Sequence, residues 1–98
     1  MKGSRILIVE DERITALDIK YRLEDSGYVV TGIASSGEDA IESAKETKPD
    51  LVLMDIMIEG DMDGAQAALH VHDRFRIPVI FLTAYADEDT LRKAKIAE

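Results

Sequence analysis

Pro49-Asp50-Leu51-Val52-Leu53-Met54-Asp55 is the stretch on which the fold turns. Four apolar residues in a row are too few for a helix. Pro49 and Asp50 punctuate their start. A short apolar run bounded in this way predicts a strand buried on both faces, as in the middle of a parallel sheet. The run ends in Asp55. A carboxylate at the carboxyl end of a central parallel strand faces the crevice where open α/β sheets bind ligands. Asp55 is therefore the candidate reactive centre.

Outward from this strand, apolar runs alternate with helical stretches, the pattern of βα units. Ile6 to Val9 predicts a first strand, followed at once by Glu10, Asp11 and Glu12. A helix is expected from about Glu12 to Asp25, stopping at Gly27 as its C′ residue. It carries two apolar stripes, Ile14/Leu17/Tyr21 and Ala16/Ile19/Leu23. Covering a sheet needs only one, so the second is expected to meet another helix or a partner. Tyr28 to Ala34 predicts the second strand. About Glu38 to Thr47 predicts a second helix with Ala40, Ile41 and Ala44 inward.

Beyond Asp55 comes a turn-rich acidic loop from Glu59 to Gly64, with Asp61 and Asp63 as turn and cap residues. A third helix is expected over about Ala65 to Phe75. Val79 to Leu82 predicts a fourth strand and Glu88 to Ala97 a fourth helix, capped by Asp87. Right-handed crossovers arrange these elements as a doubly wound, flavodoxin-like α/β sheet with strand order 2-1-3-4.

The chain has 98 residues, which predicts a single domain over 1–98. Its net charge is −8, which disfavours direct binding to nucleic acid or anionic membrane. There is no cysteine, so neither disulfide nor thiolate chemistry is available. No apolar run approaches the ~18 residues of a membrane span, and the expected location is the cytoplasm. His70 and His72 lie two apart on a helix and share no face, so they are expected at the surface.

In the 2-1-3-4 order the first and third strands are neighbours, so Glu10, Asp11 and Asp55 should meet at the carboxyl end of the sheet, with Thr83 beside Asp55. Clustered carboxylates repel unless a cation or a retained proton offsets them. Mg²⁺ suits such a site, because it takes hard oxygens and one or two carboxylates. No His or Cys accompanies these acids, which argues against zinc. A carboxylate beside a divalent cation can accept a phosphoryl group.

Four stretches carry a resemblance: Ile6 to Glu12, Pro49 to Asp55, Met62-Asp63-Gly64, and Pro78 to Ala84. In order and spacing the chain resembles the receiver domain of two-component response regulators along its length. The resemblance implies a domain that is not itself an enzyme, in which Asp55 takes a phosphoryl group from the phosphohistidine of a sensor histidine kinase. It implies Mg²⁺ held by Glu10, Asp11, Asp55 and the backbone carbonyl of Met57. It implies that Thr83 binds the phosphoryl oxygen and shifts on phosphorylation, with Ala84 kept small for access.

The sequence departs from the family pattern in the loop after Asp55, which lacks the usual proline and is one residue longer. It also stops where the family has a fifth strand and helix with a phosphoryl-pairing lysine; Lys93 and Lys95 stand in the wrong place to replace it. The expectation is a domain incomplete at its C-terminus, with an incomplete switch. The open fourth strand and the second stripe of the first helix would then favour a homodimer or swapped oligomer. Two other readings remain. One is a receiver-like interaction or dimerisation module that is not phosphorylated. The other is a small metal-dependent phosphatase, disfavoured because no second acid/base or capping segment is present.

Overall fold

The computed structural model describes residues 3–55, 58 and 63–82. The expected Met57, Thr83 and Ala84 sites and the fourth helix, with its Asp87 cap, lie outside the described residues. Seven elements follow in order: β1 (Arg5–Val9), α1 (Arg13–Asp25), β2 (Val29–Ala34), α2 (Gly37–Thr47), β3 (Leu51–Asp55), α3 (Gly64–Phe75) and β4 (Val79–Leu82). The strands form one parallel sheet in the order β2-β1-β3-β4. This is the flavodoxin-like arrangement expected from the sequence.

Local chemistry sets the element ends. α1 stops as expected: Gly27 takes φ +95°, and the Ser26 N–H bonds back to the carbonyls of Arg22 and Leu23. Ser36 caps α2, its hydroxyl accepting the Asp39 N–H at 3.1 Å. Asp63 and Gln66 form a reciprocal capping box at the start of α3. The Gln66 N–H donates to the Asp63 carboxylate at 2.8 Å, and the Asp63 N–H to the Gln66 side chain at 3.1 Å. The cap expected at Asp63 is therefore present. α2 and α3 both end on left-handed residues, Lys48 and Arg76.

One face of the sheet is fully covered. Leu7, Val9, Val52, Met54, Val79 and Phe81 lie beneath α2 and α3. The helices meet the sheet and each other through Ala40, Ala44, Ala67 and Ala68, all fully buried. Small side chains let the two helices approach closely at native packing density.

The other face is covered only in part, which corrects the expectation that β3 is buried on both sides. α1 packs on β1 and β2, burying Ile6, Ile8 and Ala16. Leu51 and Leu53 of β3 are half-buried and Ile80 of β4 is 43% exposed. Among the described residues α1 alone packs on this face, and one helix is too narrow to reach across four strands. Of the two stripes on α1, the one carrying Ala16, Ile19 and Leu23 faces the sheet. On the other, Ile14 and Tyr21 are 85% and 65% exposed.

Register depends on a clamp at the opposite end of the sheet from the acids. The Arg5 N–H donates to the Asp50 carboxylate at 2.8 Å, and the Asp50 N–H to the Arg5 carbonyl at 2.7 Å. The Arg5 guanidinium also donates to the Lys48 carbonyl at 3.2 Å. Asp50 thus does more than punctuate β3. It locks the start of β3 to the start of β1, and so fixes which residues meet at the far ends. A one-residue slip would turn every β3 side chain to the wrong face.

Candidate phosphoacceptor and metal site

Val9 is paired with Met54 across the β1–β3 ladder, so Glu10 and Asp55 stand one step beyond it, side by side. Asp11 follows where the chain leaves β1 for α1. The carboxylate oxygens of Glu10, Asp11 and Asp55 lie within 4.8 Å of one another. The acids expected to meet at the sheet's carboxyl end do so. Asp55 also pairs with Leu82 across the β3–β4 ladder.

The three carboxyls differ in environment. Glu10 is only 6% exposed, the single charged side chain in the interior among the described residues. Burial pushes its carboxyl up from 4.5 to about 7. The Glu12 N–H donates to it at 3.1 Å and works against that rise. A hydrogen bond with Asp55, the charge of Asp55 and a hydrogen bond with Asp11 all push it further up. Near neutrality Glu10 therefore shares its time between a proton and a charge. The donor set fits a hard divalent ion.

Glu12 separates from its two acidic neighbours. It forms the N-cap position of α1, where its side chain accepts the Thr15 hydroxyl at 3.1 Å. Its contribution to the site is the backbone N–H on Glu10. That role, like the Asp50 clamp, was not foreseen. An acid directly after a strand-breaking proline was the available signal for Asp50. His70 is exposed, and His72 stands 3.5 Å from the carboxylate of its neighbour Asp73, so neither joins the acids.

Comparison with known proteins agrees with this geometry. The response regulator receiver domain family matches residues 6–98. The chain is 37% identical over 93 residues to the transcriptional regulatory protein PdtaR of Mycobacterium tuberculosis, covering 95% of this chain and 45% of PdtaR. It is 38% identical over 86 residues to the phyllosphere-induced regulator PhyR of Methylorubrum extorquens, covering 87% of this chain and 32% of PhyR. Among solved structures it is similar to the signal receiver domain of a modulated diguanylate cyclase from Desulfovibrio desulfuricans. There the TM-score is 0.87 at 36% identity, covering 98% of this chain and 76% of that one. The chain belongs to the response regulator receiver domain family. It spans less than half the length of these two curated relatives.

Proposed function

We propose that the chain is a single receiver domain whose Asp55 accepts a phosphoryl group from the phosphohistidine of a sensor histidine kinase. The observation that carries this reading is the convergence of Glu10, Asp11 and Asp55 within 4.8 Å at the carboxyl end of β1 and β3. Glu10, Asp11, Asp55 and the Met57 carbonyl would hold Mg²⁺, which would neutralise the phosphoryl oxygens and the acids around them.

The rest of the chemistry belongs to the chain. One Asp55 carboxylate oxygen attacks phosphorus, forming an O–P bond as the P–N bond to the donor imidazole breaks and the electron pair leaves on nitrogen. The parallel ladder holds Asp55 rigidly at the strand tip, which favours an in-line approach. Glu10, buried at its side, would give up its proton to serve as a ligand to the cation. Thr83 would donate its hydroxyl to a phosphoryl oxygen, and Ala84 would leave room for it.

The test is labelling by a small phosphodonor such as phosphoramidate. The wild-type chain should take one phosphoryl group in the presence of Mg²⁺ and none in chelator. Asp55→Asn should take none. Equal labelling of Asp55→Asn, or none of wild type, would overturn the assignment and favour an interaction module that is not phosphorylated.

The proposed setting is the cytoplasm, and no helix among the described residues is long and apolar enough to cross a membrane. The exposed Ile14 and Tyr21 of α1 and Ile80 of β4 support a homodimer or swapped oligomer formed through α1 or β4. Sedimentation at micromolar concentration should show a dimer. A stable monomer with a sharp two-state melt would remove that part of the proposal. The net charge of −8 supports the reading that the domain contacts proteins and neither nucleic acid nor membrane directly.

A further inference from the structure

A groove between α1 and β2 meets the acidic site only at one end, through Glu10 and Asp11; the rest of its lining takes no part in the chemistry proposed at Asp55. It encloses about 520 Å³, with Arg13, Leu17 and Lys20 of α1 on one wall and Val30 to Ile33 of β2 on the other. β2 ends the sheet and has no outer neighbour among the described residues. From Val30 to Ser35 the strand wall runs for about 16 Å. A wall of that length can run beside an extended segment of about five residues.

The wall chemistry is specific. Arg13 and Lys20 stand seven residues apart on α1, about 10 Å along the helix axis. Neither takes part in an ion pair among the described residues; the ion pairs are Arg22–Asp18 and His72–Asp73. Leu17 lies between the two cations, opposite Ile33, which is 40% exposed. The upper end has the opposite preference, since Glu10 and Asp11 close it. An extra residue at Thr31 interrupts the register of β2 against β1, so a regular ladder is available only over Gly32 to Ala34. Side-chain contacts must therefore supply most of the recognition.

We propose that this groove binds an extended peptide segment of a partner protein, with two acidic side chains flanking an apolar one. The acids would pair with Arg13 and Lys20, and the apolar side chain would pack on Leu17 and Ile33. The residue nearest Glu10 and Asp11 would be neutral or basic. Along an extended chain every second side chain shares a face, so acids four positions apart with the apolar residue midway all face the groove; they span ~13 Å, within reach of the long side chains of Arg13 and Lys20 rooted ~10 Å apart. The backbone would add to the free edge over Gly32 to Ala34, a recurrent way of recognising extended peptides.

The test uses the whole chain in chelator, so it does not depend on phosphorylation. The ¹⁵N-labelled protein is titrated with acetyl-Ser-Glu-Ser-Val-Ser-Glu-Ser-amide, whose valine and two glutamates share one face of the extended chain. Amide shifts should be confined to Glu10 through Lys20 and to Val29 through Ser35. Binding should weaken about tenfold in the double variant Arg13→Gln/Lys20→Gln, the expected cost of two solvent-exposed ion pairs. The variant's spectrum away from the groove should be unchanged, which reports an intact fold. The peptide with lysine in place of glutamate should not bind. Shifts elsewhere, equal binding of the lysine peptide, or equal binding by the variant would overturn the proposal. So would the same shift pattern from inorganic phosphate alone, which would make this a simple anion site.

Discussion

Replacing Asp55 by Asn should stabilise the protein in chelator and remove most of its response to Mg²⁺. At pH 8, above the value of about 7 to which it is raised, Glu10 carries its charge. The oxygens of Glu10, Asp11 and Asp55 lie within 4.8 Å of each other. Two unit charges at that separation repel by about 1 kcal/mol in water-like surroundings and about 3.5 kcal/mol at an effective dielectric of about 20. Asp55→Asn removes two of the three pairwise repulsions while keeping the side chain's shape. The unfolded chain feels little of this repulsion. The variant should therefore gain about 1–3 kcal/mol, a rise in Tm of roughly 5–15 °C for a domain of this size.

Adding Mg²⁺ reverses the order of benefit. At a cation concentration ten times its dissociation constant, wild type should gain about 1.4 kcal/mol. Asp55→Asn, short of one anionic ligand, should gain much less. Urea unfolding followed by circular dichroism, with chelator and with Mg²⁺, reads all four values. A variant less stable than wild type in chelator would refute the reasoning, because the acids would then not be in mutual repulsion. A wild type indifferent to millimolar Mg²⁺ would refute the cation site.

Further outcomes follow from other features. Because the folded pKa of Glu10 lies above its ordinary value, the folded state holds more protons than the unfolded one between pH 4.5 and about 7. Its contribution is fully present below pH 4.5 and is lost as pH rises through 7, by roughly 3 kcal/mol at most; urea midpoints measured across this range should show the fall, and Glu10→Gln should flatten it. Met54→Ala, at a fully buried position, should cost about 2–5 kcal/mol by urea unfolding. Ala68→Leu should overpack the helix-covered face and cost about 1–3 kcal/mol, seen as a lowered Tm. Asp63→Ala breaks the capping box of α3 and should cost about 0.5–2 kcal/mol in the same assay.

Much of the fold could be read from the chain because its signals are local. Four apolar runs of strand length, helical spacing between them, and turn residues at the joints leave few arrangements once crossovers must be right-handed. Gly27, Ser36 and Asp63 each sit where elementary capping chemistry puts them. The meeting of Glu10 and Asp11 with Asp55 follows from strand order alone, since all three end neighbouring parallel strands. The face chosen by α1 was harder to read. Both of its stripes are apolar, and only the width of the sheet left to cover distinguishes them.

The sequence by itself determined the order of the strands, the end of the sheet that carries the acids, and the identity of those acids. Only the tertiary structure decided how the acids differ. Glu10, Asp11 and Glu12 are three consecutive acids in the chain, yet one is buried with its carboxyl raised to about 7, one stands beside it, and one turns away to Thr15. That difference arises where β1, paired in register with β3, gives way to α1: the pairing puts Asp55 against Glu10, and the start of the helix puts Glu12 against Thr15. Burial and charge repulsion depend on distances through space, and those exist only once the strands are paired.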